Sequence, residues 1–232
     1  MSDAAADPKR KLSADEVREA PGLDDWRFLA SGIRARFRTG DFAAGLALVD
    51  RIGAAAEEAD HHPDVSLTYP AVVVTLVSHD VGGITSRDVD LARRISGFAA
   101  EAGVEADVSG LTEIEPALDS AAPQHVADFY AALLGSEVED NGEWVAATDQ
   151  VPSLWFQTPP GPDEEHGAEL PPQDPEQRWH LDVWVAHDEA EQRLQAVLDA
   201  GGTLVSDAEA PSFWVVADAD GNRSCICTRA GR

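Results

Sequence analysis

Cysteine is almost absent: Cys225 and Cys227 are the only two in 232 residues, too few for a disulfide framework or a zinc knuckle. Two apart in what reads as a strand, they project from one face and are expected to be small, reduced, core-facing residues. Lysine is equally scarce, at Lys9 and Lys11, and 17 basic residues face 43 acidic ones for a formal net charge of −26. Phosphate neutralisation needs clustered Lys and Arg, so nucleic-acid binding is set aside. No apolar run is long enough to cross a bilayer, and the opening "MSDAAADPKRKLSADE" lacks the apolar centre of a secretion signal. The expected compartment is the cytoplasm, with no membrane partner. Against these absences stand 44% hydrophobic residues, enough for a substantial core, and a length that suits two compact domains or one large one.

Acidity is uneven. Residues 1–104 carry 17 acidic and 12 basic side chains, whereas residues 105–232 carry 26 and 5, which predicts two units, 1–104 and 105–232, meeting near "EAGVEADVSG". In the first, Ser13 with Glu16 three residues on marks a helix start. Trp26–Leu29 and Ile33–Phe37 flank "SG" as a hairpin. Phe42, Leu46, Val49, Ile52 and Ala56 recur at helical spacing after Asp41, with Pro63 as the stop. "VSLTYPAVVVTLVSHD" reads as two strands divided near Pro70, and Thr85 with Asp88 resembles a capping box opening a last helix. The expected fold class is α+β: an α-β-β-α-β-β-α layer domain with an antiparallel sheet.

In the second unit one order of elements occurs twice. A strand near Leu111–Asp119, a helix over Pro123–Leu134 and strands near Glu143–Ala147 and Leu154–Gln157 are echoed by "RWHLDVWV", a helix over Asp188–Ala200, "TLV", "FWVVAD" and "SCICT". Paired β-α-β-β-β modules are the economical reading. Between them "TPPGPDEEHGAELPPQDPEQ", rich in Pro and acid, reads as a loop or linker.

Chemistry concentrates at "EEADHHPD". A helix running to its expected end places Glu57 and His61 on one face, four residues apart. His79 lies at a strand end before "DVGG", on a rigid scaffold yet open to a ligand. Imidazoles titrate near neutrality and suit proton transfer. The residues also admit plainer roles: a His at a helix C-terminus complements the macrodipole, and Asp88 completes a cap. Glu57, His61, His62 and His79 do not form the HExxH metal pattern, so acid/base work ranks above metal binding.

The stretch "EEADHHPDVSLTYPAVVVTLVSHDVGGITSRDVDLARRI" resembles the pterin-4a-carbinolamine dehydratase family, which has an acidic residue before His-His-Pro, then an aromatic, a second His and an Asp. Here these are Glu57, His61, His62, Pro63, Tyr69, His79 and Asp88, and the resemblance extends over residues 9–100. It implies removal of water from a 4a-hydroxytetrahydropterin to give quinonoid dihydropterin, without metal or organic cofactor. It also implies His61 and His79 as the acid/base pair, in an order left open, with His62 close to the reacting carbon and Glu57 orienting His61. Asp60, Ser78, Asp80 and Asp88 follow as polar contacts to the pterin, Asp88 remaining ambiguous between cap and site. A homo-oligomer would suit both the family and the exposed strand edges.

Residues 111–228 resemble the glyoxalase and bleomycin-resistance group, in which metal-binding members use His, Gln or Glu from the first and last strands of each module. His180 and Gln157 fit such positions, but Cys225, Cys227 and Thr228 stand where a Glu belongs, and Glu113 and Glu115 have no companion His. The unit is therefore expected to be metal-free. The alternative reading of the whole chain is a small-molecule-binding glyoxalase-like protein with a residual dehydratase domain.

Overall fold

The computed structural model describes residues 7–139, 142–148, 151–158, 178–219 and 221–231. The chain divides into two compact units between Leu111 and Thr112.

The first unit follows the expected order: α1 (Ala14–Glu19), β1 (Arg27–Phe28), β2 (Ile33–Arg38), α2 (Phe42–Ala59), β3 (Asp64–Leu67), β4 (Ala71–Leu76) and α3 (Ser86–Glu101). Both capping boxes form, Ser13 with Glu16 and Thr85 with Asp88. The antiparallel sheet runs β1-β2-β4-β3. In the turn between β1 and β2 only glycine fits, since a Cβ on Gly32 would lie 2.4 Å from the Leu76 carbonyl oxygen. Ile33, Ala35 and Phe37 of β2 point into one core with Val72, Val74 and Leu76 of β4, closed by Leu48, Ile52, Ala55 and Ala56 of α2 and Leu91, Ala92, Ile95 and Ala99 of α3.

Three expectations need correction here. The buried stripe of α2 is set a little off the expected one: Ile52 and Ala56 are buried, but Phe42 and Leu46 are 49% and 47% exposed while Leu48 and Ala55 face the core. Pro63 does not stop this helix. Asp60 does, by taking the left-handed conformation at φ 46°, with its N–H bonded back to the Ala56 and Glu57 carbonyls. The boundary falls past Val104, because β5 (Glu105–Ala106) pairs with β2 and Asp107 receives Arg36, Arg38 and the Ser109 hydroxyl.

The second unit contains β6 (Thr112–Asp119), α4 (Pro123–Leu134), β7 (Val138–Glu139), β8 (Trp144–Val145) and β9 (Leu154–Gln157), then β10 (Trp179–Val185), α5 (Ala190–Asp199), β11 (Thr203–Ser206), β12 (Phe213–Ala217) and β13 (Arg223–Cys227). The paired modules are thus present. Each closes its opening strand in parallel with its last, β6 with β9 and β10 with β13, and the two join through antiparallel β6 and β10 into one eight-stranded sheet. Each helix covers its own apolar cluster: Leu118, Ala127, Ala131, Leu154 and Phe156 in one module, Val185, Ala190, Trp214, Val216 and Ile226 in the other. Strand alternation sends the remaining side chains, Glu115, His180, Asp182 and Cys225 among them, to the opposite face. The linker expected between the modules lies, apart from Thr158, outside the described residues.

The Asp107 cluster makes residues 105–111 part of the first unit's stability. Asp107→Ala in the full chain is expected to cost the first unit about 1–3 kcal/mol, since two arginines lose a buried carboxylate partner. Urea unfolding followed by Trp26 fluorescence measures it, and an unchanged midpoint would contradict the assignment.

Candidate active site

The left-handed turn at Asp60 decides where the adjacent histidines go. Just past it the His61 N–H still bonds to the Ala56 carbonyl, and the His61 side chain turns inward while that of His62 stays largely exposed. Buried His61 meets Asp88 in the first turn of α3, with Nε2 to Oδ1 at 2.8 Å. A carboxylate only accepts, so Nε2 carries the proton and Nδ1 is left for exchange. The second oxygen of Asp88 accepts from the Ser78 hydroxyl at 2.6 Å, the Thr85 N–H at 2.7 Å and the Thr85 hydroxyl at 3.2 Å. Asp88 is therefore both the cap of α3 and the anchor of His61.

The same anchor reaches the turn that bears His79. Ser78 is 1% exposed, bonds Asp88 and Thr85 through its hydroxyl, and pairs with Gly83 through its backbone at both ends of the turn. Gly82 takes φ 60° and donates to the His79 carbonyl, leaving the exposed His79 side chain on the outside of the turn, one residue from the buried network.

The structure joins the expected residues in a different pattern from the one helical spacing suggests. Glu57 pairs with His62, Oε1 to Nε2 at 3.2 Å, because α2 stops before His61 can share its face. Both partners are well exposed, so the pair adds little stability. Ser78 and Asp88 are enclosed, with their polar atoms committed to one another and to His61 and Thr85. Asp80 is bound by Arg87 at 2.7 Å and Lys9 at 2.9 Å; hydrogen bonds from Arg87, then Lys9, hold its carboxyl well below the usual carboxylate range. Asp60 and Tyr69 are exposed. Thr85, a double donor to Asp88, is legible in the sequence only as a helix cap: the T-x-x-D spacing signals one, and a cap alone gives no hint of a histidine.

On the open face of the second unit's sheet, Glu115 and Asp182 stand opposite one another in register. Glu115 is buried and accepts from Trp184 Nε1 at 2.6 Å and Ser153 Oγ at 3.1 Å; burial nevertheless pushes its carboxyl up. Cys225 and Cys227 share one face, as expected, but it is this side of the sheet and not that of the apolar cluster holding Ile226; Cys225 is half-buried there and Cys227 buried. Gln157 donates to Asp119 at 2.6 Å.

The family model described as pterin 4 alpha carbinolamine dehydratase matches residues 10–98, and that described as glyoxalase-like domain matches residues 115–227. A protein of Thermosynechococcus vestitus named as a pterin-4-alpha-carbinolamine dehydratase is 40% identical over 91 residues, covering 39% of this chain and 96% of that protein. A likewise named protein of Nocardia farcinica is 42% identical over 89 residues, covering 38% and 94%. A solved transcriptional coactivator/pterin dehydratase from Brucella melitensis aligns at 31% identity and TM-score 0.36, covering 39% of this chain and 99% of that one. No described helix is long and apolar enough to cross a membrane.

Because burial favours the neutral form of Glu115, its stabilising contribution is full below the usual carboxylate range and is lost as pH rises through its raised pKa. Glu115→Gln, which cannot ionise, is expected to raise the melting temperature of the second unit at about pH 7, with the gain shrinking toward about pH 4. Paired melts at the two pH values test this, and an equal gain at both would contradict it.

Proposed function

Since the chain belongs, through its first unit, to the pterin-4-alpha-carbinolamine dehydratase family, we propose that it dehydrates a 4a-hydroxytetrahydropterin to the quinonoid dihydropterin by histidine acid/base catalysis. The reaction breaks the C4a–O bond, forms the C4a–N5 double bond and releases water; the N5 proton leaves as another is delivered to the hydroxyl. Hydroxide is a poor leaving group near neutrality, so the step needs one group to donate and one to accept.

The observation that carries this reading is the 2.8 Å bond between His61 and the enclosed Asp88. A carboxylate in that position stabilises an imidazolium formed during proton transfer and holds the ring in one orientation, as in other carboxylate-supported histidines. His61 then works through Nδ1. Ser78 links the same carboxylate to the turn of His79, which gives the second proton handler a rigid base and an exposed side chain. His62, exposed and paired with Glu57, is suited to holding the substrate near the reacting carbon. Glu57 acts on His62 and not on His61, and Asp60, at the helix end beside the histidines, remains a polar contact available to the pterin. The chemistry is redox-neutral and calls for no metal or organic cofactor at this site.

His61→Ala and His79→Ala are each expected to slow dehydration by about 100-fold or more while circular dichroism stays unchanged. A chelator should leave the native rate as it is. Stopped-flow dehydration of each variant measures the effect; a folded variant running at the native rate would remove that histidine from the mechanism.

A further inference from the structure

The turn that bears His79 is held at two places. Its base is the Ser78–Gly83 pair, fastened to Asp88 through the Ser78 hydroxyl. Its tip is held from outside, through Asp80, the residue next to His79: Arg87 Nη2 lies 2.7 Å from Oδ1 and Lys9 Nζ 2.9 Å from Oδ2. Resting on the dehydratase reading above, we propose that Lys9 and Asp80 are positioning residues for His79, with residues 9–12 forming a strap that fixes the tip of its turn.

Local geometry prepares the strap. Pro8 takes the second position of a turn in which the Arg10 N–H donates to the Asp7 carbonyl at 3.0 Å and the Lys9 N–H to Asp7 Oδ1 at 2.9 Å, so Lys9 leaves it in a defined direction. Arg10 then grips Glu16 of α1 through two bonds, at 2.9 and 3.1 Å. Lys11 lays its side-chain stem against Gly83, where an added Cβ would lie 3.2 Å from Lys11 Cδ. The Leu12 N–H donates to the Ile84 carbonyl at 2.7 Å, and the Leu12 side chain packs on the first unit's core. Both of the chain's lysines thus lie against this one turn.

On the far side, Arg87 is tied to the buried network, its Nε donating to the Thr85 hydroxyl at 3.3 Å. Asp80 is therefore drawn between the strap and the cap of α3. Among the described residues the His79 imidazole makes no hydrogen bond of its own, so the backbone of the turn sets its place. Both Asp80 oxygens are engaged by cations, which suits holding the turn better than the pterin contact that the family resemblance implies.

The test is steady-state dehydration by the full chain, with carbon-13 relaxation of the His79 ring in the same variants. The Lys9 and Asp80 side chains are 63% and 40% exposed, which bounds the effect. Lys9→Met should lower kcat about threefold to fivefold and Asp80→Asn about tenfold, with KM near native and circular dichroism unchanged. Lys9→Met added to Asp80→Asn should cost nothing further, because both act through one contact, and Lys9→Arg should keep native kcat. The His79 ring should loosen in Lys9→Met and Asp80→Asn and stay tight in Lys9→Arg. Native kcat in both loosening variants, a loss confined to KM, or an unmoved ring would overturn the proposal. A native chain that carries out no dehydration would instead overturn the dehydratase reading, and the ring measurement would then decide the strap alone.

Discussion

The first unit's candidate site depends on one enclosed carboxylate. Asp88 is fully buried, and a charge removed from water is tolerable only when it is closely paired and hydrogen-bonded. Here four donors meet it, from His61, Ser78 and twice from Thr85. Those donors belong to three separate pieces of chain: the segment just past the Asp60 cap of α2, the turn that follows β4 and the cap of α3. Satisfying one buried charge therefore aligns three elements. The helix begins where the cap requires, the turn bearing His79 is held at its base, and His61 is held in one orientation.

The turn at Asp60 supplies the complementary constraint. Had α2 continued to Pro63, Glu57 and His61 would share a face, as their spacing of four suggests. One left-handed residue redirects the chain so that neighbouring histidines enter different environments, His61 buried against Asp88 and His62 exposed beside Glu57. Two identical side chains thereby gain distinct surroundings. The second unit uses a related economy: strand alternation places an apolar set under each helix and a polar set, with Glu115, His180, Asp182 and Cys225, on the other face.

Much of this was legible in the sequence because local rules govern it. Ser13 and Thr85 announced their caps, Pro123–Leu134 and Leu154–Gln157 appear at the expected residues, and the doubled β-α-β-β-β order survives as two modules. Apart from the local backbone conformation of Asp60, the failures share one cause, which is contact across the fold. Asp60 adopts a conformation uncommon outside glycine, so the helix end was placed too late. The Asp88–His61 bond spans 27 residues, and no spacing rule predicts it. Asp107 joined the first unit through Arg36 and Arg38, which lie about seventy residues upstream. Cys225 meets Asp182 only because β13 lies parallel to β10 in a particular register, and a shift of one residue would have turned them to opposite faces.

The central claim is that Asp88 positions His61 for proton transfer without touching the substrate. Steady-state dehydration kinetics of Asp88→Asn test it most directly. The amide keeps the shape but no longer offers a carboxylate to the imidazole, so kcat should fall about 100-fold or more while KM stays near its native value. A folded Asp88→Asn protein with native kcat, or with its loss confined to KM, would contradict the account.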